Sequence, residues 1–135
     1  MAMYTVFEAP LQMLADSPSR YMKEQETTDF IAQIPTVFDE TVAVAGETGE
    51  YAAVARRKGD VWYVSAMTNW TGRTVNVPLS FLADGEWTAE IFADGVNARR
   101  DAMDYKRSQM KVTNAVTLQA VMSSGGGYAA IIKKK

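Results

Sequence analysis

The chain has 135 residues, 47% of them apolar and 22% charged, with a net charge of −2 and no Cys or His. Without His or Cys there is no Ser-His-Asp or Cys-His triad, no thiol chemistry and no Cys/His zinc site. The near balance of charge gives no broad positive field for nucleic acid. No apolar run reaches ~18 residues, so no membrane span is expected, and the N-terminus shows no signal-peptide pattern. The length predicts one domain able to bury a core without disulfides.

Residues 2–15 read as a helix that is apolar nearly all round, through Met3, Tyr4, Val6, Phe7, Leu11, Met13 and Leu14. Pro10 lies inside it, where a kink or restart is expected. A helix resting on a sheet buries one stripe only, so a second apolar stripe calls for another partner, either a second copy of the chain or a larger body. Asp16-Ser17-Pro18 marks a fresh start, with Ser17 as N-cap and Pro18 at the first helical position. The next helical stretch runs to about Gln33, with an interruption and second cap predicted at Thr27-Thr28-Asp29, and Pro35 ends it.

From Thr36 onward the pattern changes to strands and turns. Strands are predicted near 40–45, 50–57, 61–68, 73–79, 87–94, 105–112, 116–121 and 127–133, with Gly, Asp and Asn at the reversals between them. Short strands at this spacing, without helices between them, predict a mostly β fold. It is an antiparallel two-sheet β-sandwich preceded by short N-terminal helices. The expected division is a helical segment over 1–35 and a sandwich domain over 36–135.

Candidate sites are few. Gly125-Gly126-Gly127 precede a strand rather than a helix, so they read as a tight turn or close backbone approach and not as a phosphate cradle. The acids Asp39-Glu40 and Asp94, Asp101 and Asp104 lack calcium-loop spacing and read as turn residues. Asn69-Trp70-Thr71 fits an N-glycosylation sequon and sets an indole on a turn. Trp70 is therefore the candidate sugar platform, although packing at the sandwich edge is the commoner role. Trp62 and Trp87 read as core. Arg56-Arg57-Lys58 and Arg99-Arg100 read as solvated pairs beside acids, and the terminal lysines as a polar end. No catalytic or metal-ligating set emerges.

Five stretches in order carry a resemblance. They are Glu8-Ala-Pro-Leu-Gln-Met-Leu-Ala-Asp-Ser-Pro18, Phe30-Ile-Ala-Gln-Ile-Pro35 with Asp39-Glu-Thr41, Gly49-Glu-Tyr-Ala-Ala-Val-Ala-Arg-Arg57, Trp62-Tyr-Val-Ser-Ala-Met-Thr-Asn69 and Gly125-Gly-Gly-Tyr-Ala-Ala-Ile131. Together they resemble the C-terminal end of glycoside hydrolase family 97, the calcium-dependent α-glucosidases and α-galactosidases. Phe38 stands where Trp is expected and Ser65 where Gly is expected, both as packing variations. The resemblance implies an enzyme with an N-terminal sandwich, a catalytic (β/α)₈ barrel and this C-terminal sandwich. It implies that catalytic carboxylates and calcium ligands lie outside this chain, so no cofactor is expected in it. It also implies a periplasmic or secreted parent. The role expected of the chain is non-catalytic: stabilising the parent's barrel, with Met3 to Leu14 as barrel contact or self-association surface and a homo-oligomer as a further partner. The alternative is a carbohydrate-binding module.

Overall fold

The computed structural model describes residues 1–9 and 13–135. Three short helices come first, α1 (Met3–Val6), α2 (Pro18–Lys23) and α3 (Gln25–Ala32). Eight strands follow: β1 (Glu40–Glu47), β2 (Tyr51–Lys58), β3 (Val61–Thr68), β4 (Arg73–Pro78), β5 (Trp87–Asp94), β6 (Tyr105–Val112), β7 (Thr117–Met122) and β8 (Gly127–Lys134). The first sheet has six strands in the order β1-β2-β3-β8-β5-β6, and β4 pairs with β7 in a second, two-stranded sheet. Every pairing is antiparallel. The mostly β, two-sheet fold expected from the sequence is the one found.

Alternation sorts the side chains to two faces of the large sheet. One face turns Ala53, Ala55, Trp62, Val64, Ala66, Trp87, Ala89, Tyr128, Ala130 and Ile132 toward Val75, Val77, Leu118, Ala120 and Met122 of the small sheet. The other face carries Tyr63, Phe92, Ala129 and Ile131, and Phe30 of α3 closes over them. The Phe30 and Phe92 rings lie 4.5 Å apart. The helices are thus a third layer. They explain why β3 and β8 are buried on both sides, as continuous apolar runs in central strands are.

The expected long first helix is corrected to a single turn, in which only Thr5 is buried. Its docking depends on small residues: Ala2 is also buried, and a Cβ added at Gly127 would lie 3.3 Å from the Ala2 Cβ. The kink predicted at Pro10 lies outside the described residues. Ser17 and Pro18 occupy the predicted start of α2, but the Ser17 side chain makes no capping bond. Its Oγ meets Ser19 Oγ at 3.1 Å instead. The helical break falls at Glu24, one turn before the predicted threonines. Both threonine hydroxyls donate backward, Thr27 Oγ1 to the Glu24 carbonyl and Thr28 Oγ1 to the Tyr21 carbonyl, each at 3.0 Å. They supply donors to the carbonyls at the end of α2 while staying helical themselves.

One polar network ties the helical layer to the sheet. Tyr105 Oη donates to Glu26 Oε2 at 2.6 Å, and Arg107 bridges Glu26 at 2.8 Å and Glu90 at 2.7 Å. The Tyr105 hydroxyl, then Arg107, holds the Glu26 carboxyl below its usual range. A depressed carboxylate contributes stability above its unfolded value near 4.5 and loses it as pH falls through the folded value. Replacing Tyr105→Phe is expected to move the Glu26 titration upward in an NMR pH series. An unmoved titration would remove the hydroxyl from that role.

Candidate functional site

The turn between β3 and β4 presents Trp70 with 86% of its surface exposed. It is thus not packed at the sandwich edge, the commoner role considered from the sequence. The turn beneath it is pinned at several points. Asn69 Oδ1 accepts the Thr71 amide at 2.9 Å and Asn69 Nδ2 donates to the Gly49 carbonyl at 3.1 Å. Ser124 Oγ donates to the Trp70 carbonyl at 2.6 Å, and the Gly125 amide to the Asn69 carbonyl at 2.8 Å. Gly125 has φ +69° and lies under the indole, where a Cβ would come within 3.2 Å of Cζ3. These bonds fix the backbone that carries the indole. Asn69, engaged through both ends of its amide, is poorly placed as a glycan acceptor despite its sequon.

Beside this turn a cleft of about 420 Å³ is lined by Ala2, Asp94, Asp104, Tyr105 and Gly125 to Gly127. Its acids are occupied in holding backbone. Asp94 Oδ2 accepts the Ser123 amide at 2.7 Å and Oδ1 the Gly127 amide at 3.4 Å. Asp104 accepts the Asn97 amide and Asp101 the Met103 amide. A Cβ at Gly126 would overlap Asp94 Oδ2. The three glycines form the close backbone approach expected of them, and the turn between β7 and β8 is tied to the end of β5 by the Asp94 carboxylate. Asp39 is likewise engaged: Lys58 Nζ at 2.8 Å, and then the Gly59 amide, hold its carboxyl below the usual range. Among the described residues no group of three or more Asp or Glu is placed to hold a metal ion.

Trp62 and Trp87 lie in the core, as their strand positions predict. Arg56 departs from the solvated role read from its sequence neighbours. It is 6% exposed, stacks over the Phe38 ring at 5.2 Å and donates Nη2 to the Val6 carbonyl at 3.4 Å. Position 56 faces the helical layer, and α1 covers it. Sequence reasoning missed it because burial there depends on a segment fifty residues away. Phe38 meets Tyr63 edge-on at 5.7 Å and Ser65 is fully buried, so both departures from the expected residue types are packing positions. Of the apolar stripe, Met3, Phe7, Met13 and Leu14 are exposed, Tyr4 and Val6 are half-buried, and Leu11 lies outside the described residues.

Among the described residues no catalytic constellation forms, and the strongest surface features are an apolar stripe and an exposed indole. Residues 37–133 match the family model described as "Glycosyl-hydrolase 97 C-terminal, oligomerisation". The chain belongs to that family. It is 49% identical over 133 residues to a retaining α-galactosidase of Bacteroides thetaiotaomicron, covering 98% of this chain and 20% of that protein. It is 29% identical over 131 residues to a probable retaining α-galactosidase of Streptomyces bingchenggensis, covering 97% and 20%. A glycoside hydrolase family 97 enzyme from a Pseudoalteromonas strain, solved with acarbose, superimposes with TM-score 0.95 at 30% identity. It covers 99% of this chain and 22% of that one. The family 97 C-terminal chain therefore spans about a fifth of the curated relatives it matches. The structural match includes the helical segment that precedes the family model's residues.

Proposed function

We propose that this chain serves a longer α-galactosidase of family 97 as a non-catalytic domain that braces the catalytic barrel and supports oligomer contacts. The observation that carries this reading is the 49% identity to a retaining α-galactosidase over nearly the whole chain, against 30% to the enzyme solved with acarbose. It favours galactosidase over glucosidase chemistry for the parent, with the retaining outcome. In this reading catalytic carboxylates and calcium belong to regions outside this chain, and the parent works in the periplasm or is secreted. The segment 1–35 is the connector and 36–135 the accessory domain. The exposed Met3, Phe7, Met13 and Leu14, with half-buried Tyr4 and Val6 beside them, are the barrel-facing contact. Burying each such side chain is worth roughly 1.5–3 kcal/mol, enough to hold two domains together.

The test has two arms. The purified chain is expected to release no nitrophenol from nitrophenyl α-galactoside, with or without calcium. Deleting residues 36–135 from the longer protein should lower its melting temperature and its oligomeric state. Turnover by the chain alone, or a deletion without effect on either property, sinks the proposal. The carbohydrate-binding alternative rests on Trp70 alone. A single exposed indole offers one stacking surface, whereas tight ligand sites converge several groups in a concavity.

A further inference from the structure

We propose that Arg56, with the uncovered strip of the large sheet beside it, is a docking point for a carboxylate-bearing segment of the parent's catalytic barrel. The inference rests on the bracing role proposed above and gives that contact a place and a chemistry. Three basic residues stand in a row at the end of β2, and two of them have acids. Arg57 pairs with Glu40 at 2.9 Å and Lys58 with Asp39 at 2.8 Å, both at the surface. Arg56 is the buried one, and among the described residues no carboxylate meets it. Its Nε is shut away from solvent without an acceptor. The one hydrogen bond it makes, Nη2 to the Val6 carbonyl, is long at 3.4 Å. The Phe38 ring offers a face to stack on but no negative charge. A guanidinium taken out of water without a counter-charge is costly. Such a residue marks a pair whose other half lies elsewhere.

Beside Arg56 the helical layer stops. Phe30 closes over Tyr63, Phe92, Ala129 and Ile131, but Thr41 and Ala43 of β1, on the same face opposite Arg56 and Val54, are exposed. Ala52 and Val54 are only half-buried. These four side chains are short and uncharged, so another segment can lie close on them. Next to the strip, α1 rests on β2 and β3 and exposes Met3 and Phe7. Within this chain the acid near enough in sequence to the Val6 contact is Glu8, which is exposed and makes no ion pair. Swinging Glu8 inward would answer the charge but leave the strip bare, whereas a docked acidic segment covers both. The chain spans 20% of the relatives it matches, so most of the residues that could supply that segment lie outside it. A carboxylate can take two guanidinium donors at once, which suits an Arg whose Nε has no acceptor.

The test compares each variant in this chain alone and in the longer protein that contains it. Exchanging an unpaired buried charge for an apolar side chain is neutral or stabilising, whereas removing one partner of a buried pair is strongly destabilising. Arg56→Met should therefore leave the melting temperature of the chain unchanged or raise it, and lower that of the longer protein by at least about 5 °C. Ala43→Arg, on the exposed strip, should be silent in the chain and lower the melting temperature of the longer protein. In an Arg56→Lys variant of the longer protein, carbodiimide should join the new amine to an Asp or Glu outside residues 1–135, located by peptide mass spectrometry. Equal losses in both settings would make Arg56 a structural tie to Val6 and Phe38 and overturn the proposal. So would a cross-link to Glu8 or to this chain in a second copy, or no cross-link at all. A longer protein indifferent to Arg56→Met and Ala43→Arg, yet destabilised by deleting residues 36–135, overturns this docking point and leaves the bracing role standing.

Discussion

Replacing Gly126→Ala is expected to lower the stability of this domain by about 3 kcal/mol, near the upper end of what overpacking a tight site costs. The added Cβ would overlap Asp94 Oδ2 and sit 2.8 Å from both the N and the O of Ser123. Neither neighbour is free to move. Asp94 is fixed by the amides of Ser123 and Gly127, and Ser123 by a turn that closes on the Gly126 amide at 2.9 Å. For a domain of this size the melting temperature should fall by roughly 10 °C. Asp94→Ala alone leaves two amides without their acceptor and should cost about 1–3 kcal/mol. The two substitutions touch one another, so the double variant should be less destabilised than the sum of the singles. Thermal melts of the four proteins measure this coupling. Strict additivity would show that the carboxylate does not hold the glycine loop.

The second large effect concerns the helical layer. Phe30 is 2% exposed and is the residue through which α3 grips the sheet. Phe30→Ala should cost about 3–5 kcal/mol, the range for truncating a buried aromatic. Met22→Ala, on an exposed side chain of the neighbouring helix, should stay within about 0.5 kcal/mol. The loss should also be local. Amide hydrogen exchange is expected to show α3 losing protection before β3 and β8, because those strands keep the small sheet on their other face. If all elements lost protection together, the helices would be part of one cooperative core and not a separable layer. That outcome would also weaken the connector role given to residues 1–35.

The strands were largely readable from sequence, and for a local reason. Val61–Thr68, Trp87–Asp94 and Tyr105–Val112 have the bounds predicted for them; in the first two, β-branched and aromatic residues between Gly, Asp and Asn turns carry their own signal, and the polar third is marked by Tyr105 and Val112 at its ends and by the turn residues that flank it. The glycine turn before β8 and the core positions of Trp62 and Trp87 follow from the same local pattern. The family was readable too, because five ordered stretches survive as residue identities even where no single motif is decisive.

What the sequence could not decide depends on which surfaces meet. Strand order, with β8 inserted between β3 and β5, is fixed by long-range pairing that leaves no local trace. The apolar run at 2–15 looked like one buried helix, yet its contact with the sheet goes through Ala2 and Thr5, while Met3 and Phe7 point away. Periodicity reports that a residue is apolar, not which neighbour it finds. Arg56 makes the same point in reverse: a charged residue in a basic run, it is buried because α1 folds over it. Trp70 was identified from its turn. The pinning of that turn by Gly49, Ser124 and Gly125 exists only once loops from three parts of the chain are brought together.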